Sequence, residues 1–160
     1  MSNARRSIRL YIKLQLKCFA CEPHSEYPLK VDFSAQFTNR EKNIRKQIID
    51  ATDAKIVLST SWREHWEKDL AKCDSTGALI NSIFSKHGLQ IWDKTPQLRT
   101  KRETQIKSWL DRHPEVKNFV VLDDSLLSAD YLNGHFIKTS NYFDGLDETD
   151  VQKAMDILNR

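Results

Sequence analysis

Asp123 and Asp124 close an apolar run, Asn118-Phe119-Val120-Val121-Leu122, and adjacent carboxylates repel unless a cation or basic side chain lies between them. The run reads as a buried parallel strand. In open α/β sheets ligands collect just beyond the carboxyl ends of the strands. Asp123 and Asp124 are therefore candidate ligands for a divalent metal. They also fit an Asx-capped turn in which Asp124 or Ser125 starts a helix. A second stretch has similar character. Lys55-Ile56-Val57-Leu58-Ser59 is a short apolar strand, and Ser61-Trp62-Arg63-Glu64 follows at once with a capping-box pattern. A helix opening there would present Ser59, Thr60 and unpaired N–H groups to a phosphate. A well-capped helix with nothing bound fits those residues equally.

The elements that must position these residues alternate. Ile8 to Leu16 has a period of two, apolar at Ile8, Leu10, Ile12, Leu14 and Leu16, as in a strand with one wet face. A central parallel strand should instead be apolar on both faces. Residues 22–37 read as loop. Thr38-Asn39-Arg40-Glu41 is a capping box opening a helix with Ile44, Ile48 and Ala51 on its apolar side. After a polar turn at Asp74 to Gly77, a helix spans about Ala78 to Lys86. A brief strand follows at Leu89 to Trp92, and a helix at about Arg99 to Asp111, stopped by His113-Pro114. His135 to Thr139 reads as a last strand. Val151, Ala154, Met155 and Leu158 form the apolar stripe of a closing helix. This is βα alternation around a parallel sheet.

The chain has 160 residues, 39% hydrophobic and 29% charged, with only four Gly and four Pro, which suits one globular domain over 1–160. Ser2-Asn3-Ala4 reads as a cloning remnant within residues 1–4, and 5–37 as a divergent N-terminal segment. No apolar run approaches the ~20 residues of a membrane span, and no secretion signal shows, so the expected compartment is the cytoplasm. Residues 1–50 hold ten Lys/Arg against five Asp/Glu, the remainder fifteen against seventeen. Arg5, Arg6, Arg9, Lys13 and Lys17 form one basic stretch, and Arg40, Lys42, Arg45 and Lys46 another. Such patches hold nucleic-acid phosphates or are simply solvated faces, and a net charge of +3 does not decide between them.

Three cysteines make no disulfide framework. Cys18, Cys21, His24 and Cys73 supply the ligand types of a zinc site without a recognisable second knuckle, so free thiols are expected. Trp62, Trp66, Trp92 and Trp109 could stack bases, but Trp at these spacings more often packs in a core or at its rim.

Four blocks, "ATDAKIVLSTSWRE", "TPQLRTKRETQIKSWLDRHP", "FVVLDD" and "FIKTSNYFDGLDETDVQKAMDIL", resemble the haloacid dehalogenase (HAD) superfamily. They are most similar to the small HAD domain of Swiss Army Knife RNA-repair proteins, over residues 38–158. The resemblance implies a Rossmann-like three-layer α/β/α sandwich with a mainly parallel sheet, and Mg²⁺-dependent phosphoryl transfer through an aspartyl-phosphate. By the same resemblance Ser59, with Thr60 as its alternative, holds a phosphoryl oxygen. Arg102, with Lys101 beside it, is the basic residue, and Asp123 and Asp124 are the acidic pair that helps hold Mg²⁺.

The first motif departs from the family. Its members end the first strand in Asp-x-Asp, whereas a gap-free alignment here puts Tyr11 at the nucleophile and Lys13 at the acid/base. A phenol cannot form the acyl phosphate, and an ammonium cannot ligate Mg²⁺. Three accounts follow. The site is catalytically degraded, with Lys13 neutralising Asp123 and Asp124 in place of Mg²⁺. Alternatively Asp32 is a displaced nucleophile in an active phosphatase, or the natural chain differs before residue 30. A variant of the first account leaves the N-terminal segment outside the sheet centre, with Lys13 on the surface. The intervals from Tyr11 to Ser59 and from Ser59 to Arg102, 48 and 43 residues, leave no room for a large cap. An open site of this kind suits RNA or DNA ends as the phosphorylated ligand. A structural partner module, zinc-stapled through Cys18 and Cys21, is the remaining alternative.

Overall fold

The computed structural model describes residues 8–12, 39–139 and 146–160, with side chains from Arg45 onward. Lys13, Cys18, Cys21, His24, Asp32 and Thr38 lie outside the described residues, as does the side chain of Tyr11. Five strands, β1 (Ile8–Ile12), β2 (Lys55–Leu58), β3 (Ile91–Lys94), β4 (Asn118–Asp123) and β5 (Phe136–Lys138), form one sheet in the order β3-β2-β1-β4-β5. Every neighbouring pair is parallel. Four helices connect and flank them: α1 (Asn39–Thr52), α2 (Ser75–Lys86), α3 (Arg102–Asp111) and α4 (Glu148–Leu158).

Alternate residues of each strand feed two cores. On one face Ile56, Leu58, Val120, Leu122 and Ile137 pack with Ile48 of α1, Ile80 and Phe84 of α2, and Val151, Ala154, Ile157 and Leu158 of α4. On the other Val57, Phe119 and Val121 pack with Ile106 and Trp109 of α3 and with Leu132. The result is the three-layer, Rossmann-like α/β/α sandwich expected from the sequence. The buried runs of β2 and β4 follow from being covered on both faces. Trp66 and Trp109 are core residues, while Trp62 and Trp92 pack at the rims of the two clusters. None of the described helices is long and apolar enough to cross a membrane.

Several boundaries differ from the sequence reading. The strand at 8–12 takes the centre of the sheet, so a segment left outside it is ruled out: β1 pairs with β2 and β4 along its whole described length. The helix expected at Ser61 is a single 3-10 turn, Ser61–Glu64, followed by another at Leu70–Lys72. Thr60 rather than Ser61 caps it, its hydroxyl accepting from Trp62 N–H at 2.9 Å. The N–H groups of Trp62 and Arg63, which the sequence reading offered to a phosphate, are taken by Thr60. Ala51 is exposed and Met155 only half-buried, while Ile157 joins the core of α4. Helix α2 begins three residues earlier than read, because Asp74 caps it through Gly77 N–H at 2.9 Å. Strand β3 lies two residues later than expected, and α3 starts at Arg102 rather than Arg99.

Candidate functional site

The described core of the candidate site lies at the carboxyl ends of β2 and β4, the strands flanking β1. Ile12 of β1 is level with Leu58 and Leu122, so the next residues of the flanking strands, Ser59 and Asp123, stand at one height on either side of it. Two residues on from Val57 and Val121, both project toward the face covered by α3. Ser59, Thr60 and Asp123 are all buried.

Asp123 is held from two directions. Its Oδ2 accepts from Arg102 Nη1 at 2.5 Å, and its Oδ1 accepts from Ser125 N–H at 2.8 Å, an Asx turn as read from the sequence, although no helix starts at Asp124 or Ser125. Arg102 is the first residue of α3, and Lys101 before it is exposed and supplies no side-chain cap. Of the two basic candidates, only Arg102 reaches the acidic pair. Asp124 is half-buried beyond the strand end. Thr60 and Ser59 also separate: the Thr60 hydroxyl caps the 3-10 turn, which leaves Ser59 as the member of the pair on the Asp123 face.

Two residues were missed by the sequence reading. Arg63, buried at 7% exposure, donates from Nη1 to Thr60 O at 2.6 Å and from Nη2 to Gln105 Oε1. Gln105 in turn donates to Leu98 O and Thr100 O at 2.8 and 2.9 Å, fixing the loop that delivers Arg102. Burial, and after it the nearby charge of Arg102, hold the Arg63 guanidinium below its ordinary pKa. Arg63 thus lies close enough to Arg102 for their charges to interact, while Arg102 is the one that meets Asp123. The available signal was an arginine four residues past Ser59, inside the stretch read only as a capping box.

Residues 17–151 match the family model for the HAD domain in Swiss Army Knife RNA repair proteins. The chain belongs to this HAD family. No curated protein and no solved structure gives a match. The matched span takes in β2 to β5 and α1 to α3, and so every described residue of the site.

Members of the HAD superfamily use Mg²⁺, and the described residues can be tested for it. Among the described residues Asp123 and Asp124 form the acidic pair at the strand ends, and one oxygen of Asp123 is taken by a guanidinium. Among the described residues no group of three His, Cys, Asp or Glu side chains is placed to hold a metal ion. An arginine-neutralised carboxylate is a poor start for an all-oxygen octahedral shell. Among the described residues Asp123 and Asp124 alone are candidate ligands at these strand ends, and two carboxylates fall short of a full Mg²⁺ shell. Cys73, the described cysteine of the zinc alternative, accepts from Glu67 N–H at 3.2 Å, and Cys18, Cys21 and His24 fall outside the described residues.

Proposed function

We propose that this HAD domain binds the phosphate of an RNA or DNA end at Ser59, Arg102 and Asp123 and does not hydrolyse it. The chain is taken as one domain of this kind over its whole length. The observation that carries the reading is the position of β1. It is the central strand, its last described residue is level with Leu58 and Leu122, and residues 8–17 contain no Asp or Glu. In sequence, the gap-free alignment puts Tyr11 and Lys13 at the two aspartate positions of the family's first motif. A central strand without a carboxylate brings no nucleophile for acyl-phosphate chemistry to the strand ends. The basic groups, by contrast, suit a bound phosphate: Arg102 in its forked geometry, Arg63 behind it, and a serine hydroxyl as donor.

The test is phosphate release from 5′- and 3′-phosphorylated oligonucleotides with Mg²⁺ present, using Asp123→Asn as the blank, alongside equilibrium binding of the same oligonucleotides. The expected result is binding that Ser59→Ala and Arg102→Gln each weaken about tenfold, the value of one charge-assisted hydrogen bond, with no release above the blank. Release that disappears in the blank would overturn the non-catalytic reading and point to a displaced nucleophile, with Asp32 examined first. A chain that neither binds nor releases would leave the partner-module reading.

A further inference from the structure

A cavity of about 240 Å³ opens beside this site, on the far side of Arg63, between the end of β3 and the last turn of α3. Its lining includes Arg63, Thr95, Arg112 and His113 but not Ser59, Arg102 or Asp123, so it is a separate compartment that shares the Arg63 wall. Thr95 extends β3 past its last strand residue, its N–H donating to Leu58 O at 2.8 Å. Two buried polar atoms of that wall, Arg63 Nε and Thr95 Oγ1, have no hydrogen-bond partner among the described residues. Both residues are more than nine-tenths buried, at 7% and 1% exposure. Native interiors rarely leave a guanidinium N–H and a hydroxyl unmet side by side.

The lining carries three cations, Arg63, Lys94 and Arg112, against two carboxylates, Glu64 and Asp93. Its two carboxylates are already engaged: Glu64 accepts from Gln97 at 2.7 Å, and Asp93 accepts from Trp109 Nε1 at 2.9 Å. Lys94 is held by Glu67 and by Trp66 O. Arg112 anchors through Nε to Ser108 O, which leaves its planar Nη pair for the rim. Beyond the rim His113 meets Trp92 edge to face, and the ammonium groups of Lys55 and Lys68 lie over the Trp92 ring. A basic and aromatic tract therefore leads away from the cavity.

Building on the proposed function, we infer that this cavity is a second phosphate subsite, taking the internucleotide phosphate next to a bound nucleic-acid end. Arg63 stands between the two subsites. Its Nη groups brace the end-phosphate side through Thr60 and Gln105, and its Nε, buried in the shared wall without a partner, reaches the second phosphate by a small shift of that wall. A step of Thr95 χ1 between staggered wells brings its hydroxyl to the same anion. The cavity falls below the range of pockets that enclose whole small molecules, which suits a single phosphate group better than a base and sugar together.

The experiment compares two probes on the full chain, a 3′-phosphorylated mononucleoside and the corresponding dinucleotide, which adds one internal phosphodiester. Wild type is expected to bind the dinucleotide about tenfold more tightly, and Thr95→Val and Arg112→Gln each to reduce that ratio toward one. Thr95→Val is isosteric and removes an unpaired hydroxyl, so its thermal midpoint should hold or rise, which excludes misfolding as the cause. A wild-type ratio of one, or a ratio unchanged in both variants, overturns the subsite while leaving the end-phosphate reading intact. Dinucleotide binding that survives Ser59→Ala but falls with Thr95→Val supports the subsite and overturns the end-phosphate reading. Failure of wild type to bind either probe overturns both.

Discussion

Replacing Arg102 by Ala removes the guanidinium that meets the Asp123 carboxylate, 1% exposed, at 2.5 Å. Breaking a buried pair from one side costs about 3–5 kcal/mol, because the remaining charge stays out of water without its partner. The Ser125 N–H still holds Oδ1, and Arg102 is itself 24% exposed, so the expected cost lies at the lower end, about 3 kcal/mol. For a chain of this length that corresponds to a fall of about 6–12 °C in thermal midpoint. Asp123→Asn removes the charge but keeps the shape and one acceptor, and is expected to cost only about 1–2 kcal/mol. In the Asp123→Asn background the loss of Arg102 should be mild, about 1 kcal/mol, because no buried charge is left behind. The double variant is therefore less destabilised than the sum of the singles by about 2 kcal/mol. Urea unfolding of the four proteins measures this directly. If the effects add to within about 0.5 kcal/mol, the pair is not coupled and the geometry assigned to the site is wrong.

Four further outcomes are expected. Tyr11→Asp combined with Lys13→Asp should produce Mg²⁺-dependent phosphate release above the Asp123→Asn blank, whereas either change alone should not; release assays on the three variants decide it. Gly77→Ala should destabilise by at least about 2 kcal/mol in urea unfolding, because a Cβ at this position would sit 1.9 Å from the His65 carbonyl oxygen, and backbone cannot move aside cheaply. Asp147 caps α4 through Asp150 N–H at 2.8 Å, so Asp147→Ala should lose about 1 kcal/mol and Asp147→Asn much less, again by urea unfolding. Asp74 is held below the ordinary carboxylate pKa, first by the Gly77 N–H and next by His65. Its stabilising effect is therefore complete above the usual Asp value of about 3.9 and is lost as the pH falls through the lower folded value. Asp74→Asn should flatten that acid limb in a thermal-midpoint titration against pH.

The sequence by itself determined the class of fold and the identity of its main parts. Continuous apolar runs at Ile56–Leu58 and Phe119–Leu122 need cover on both faces, and only a parallel sheet between helical layers provides it. The i, i+3, i+7 spacing of Val151, Ala154 and Leu158 placed the apolar stripe of α4, and His113-Pro114 ended α3. Asp123 at the end of an apolar strand was likewise legible, since strand ends are where such a fold exposes its chemistry.

Tertiary structure decided what pattern could not. Ser61–Glu64 carries a capping box, yet it stops after one 3-10 turn, because Thr60 takes the cap and Arg63 is drawn inward to Thr60 O and Gln105. Local propensity sees four residues of a helix start; it cannot see a glutamine 42 positions later that satisfies a buried guanidinium. The resemblance already preferred Arg102 to Lys101, and the entry of α3 over β4 supplies the physical reason by bringing Arg102 to Asp123. The alternating pattern of residues 8–16 argued against a central strand, but pairing on both edges places Ile8–Ile12 there. Backbone hydrogen bonding to two neighbours outweighs the side-chain period, and it is this pairing that sets Ile8–Ile12 between β2 and β4.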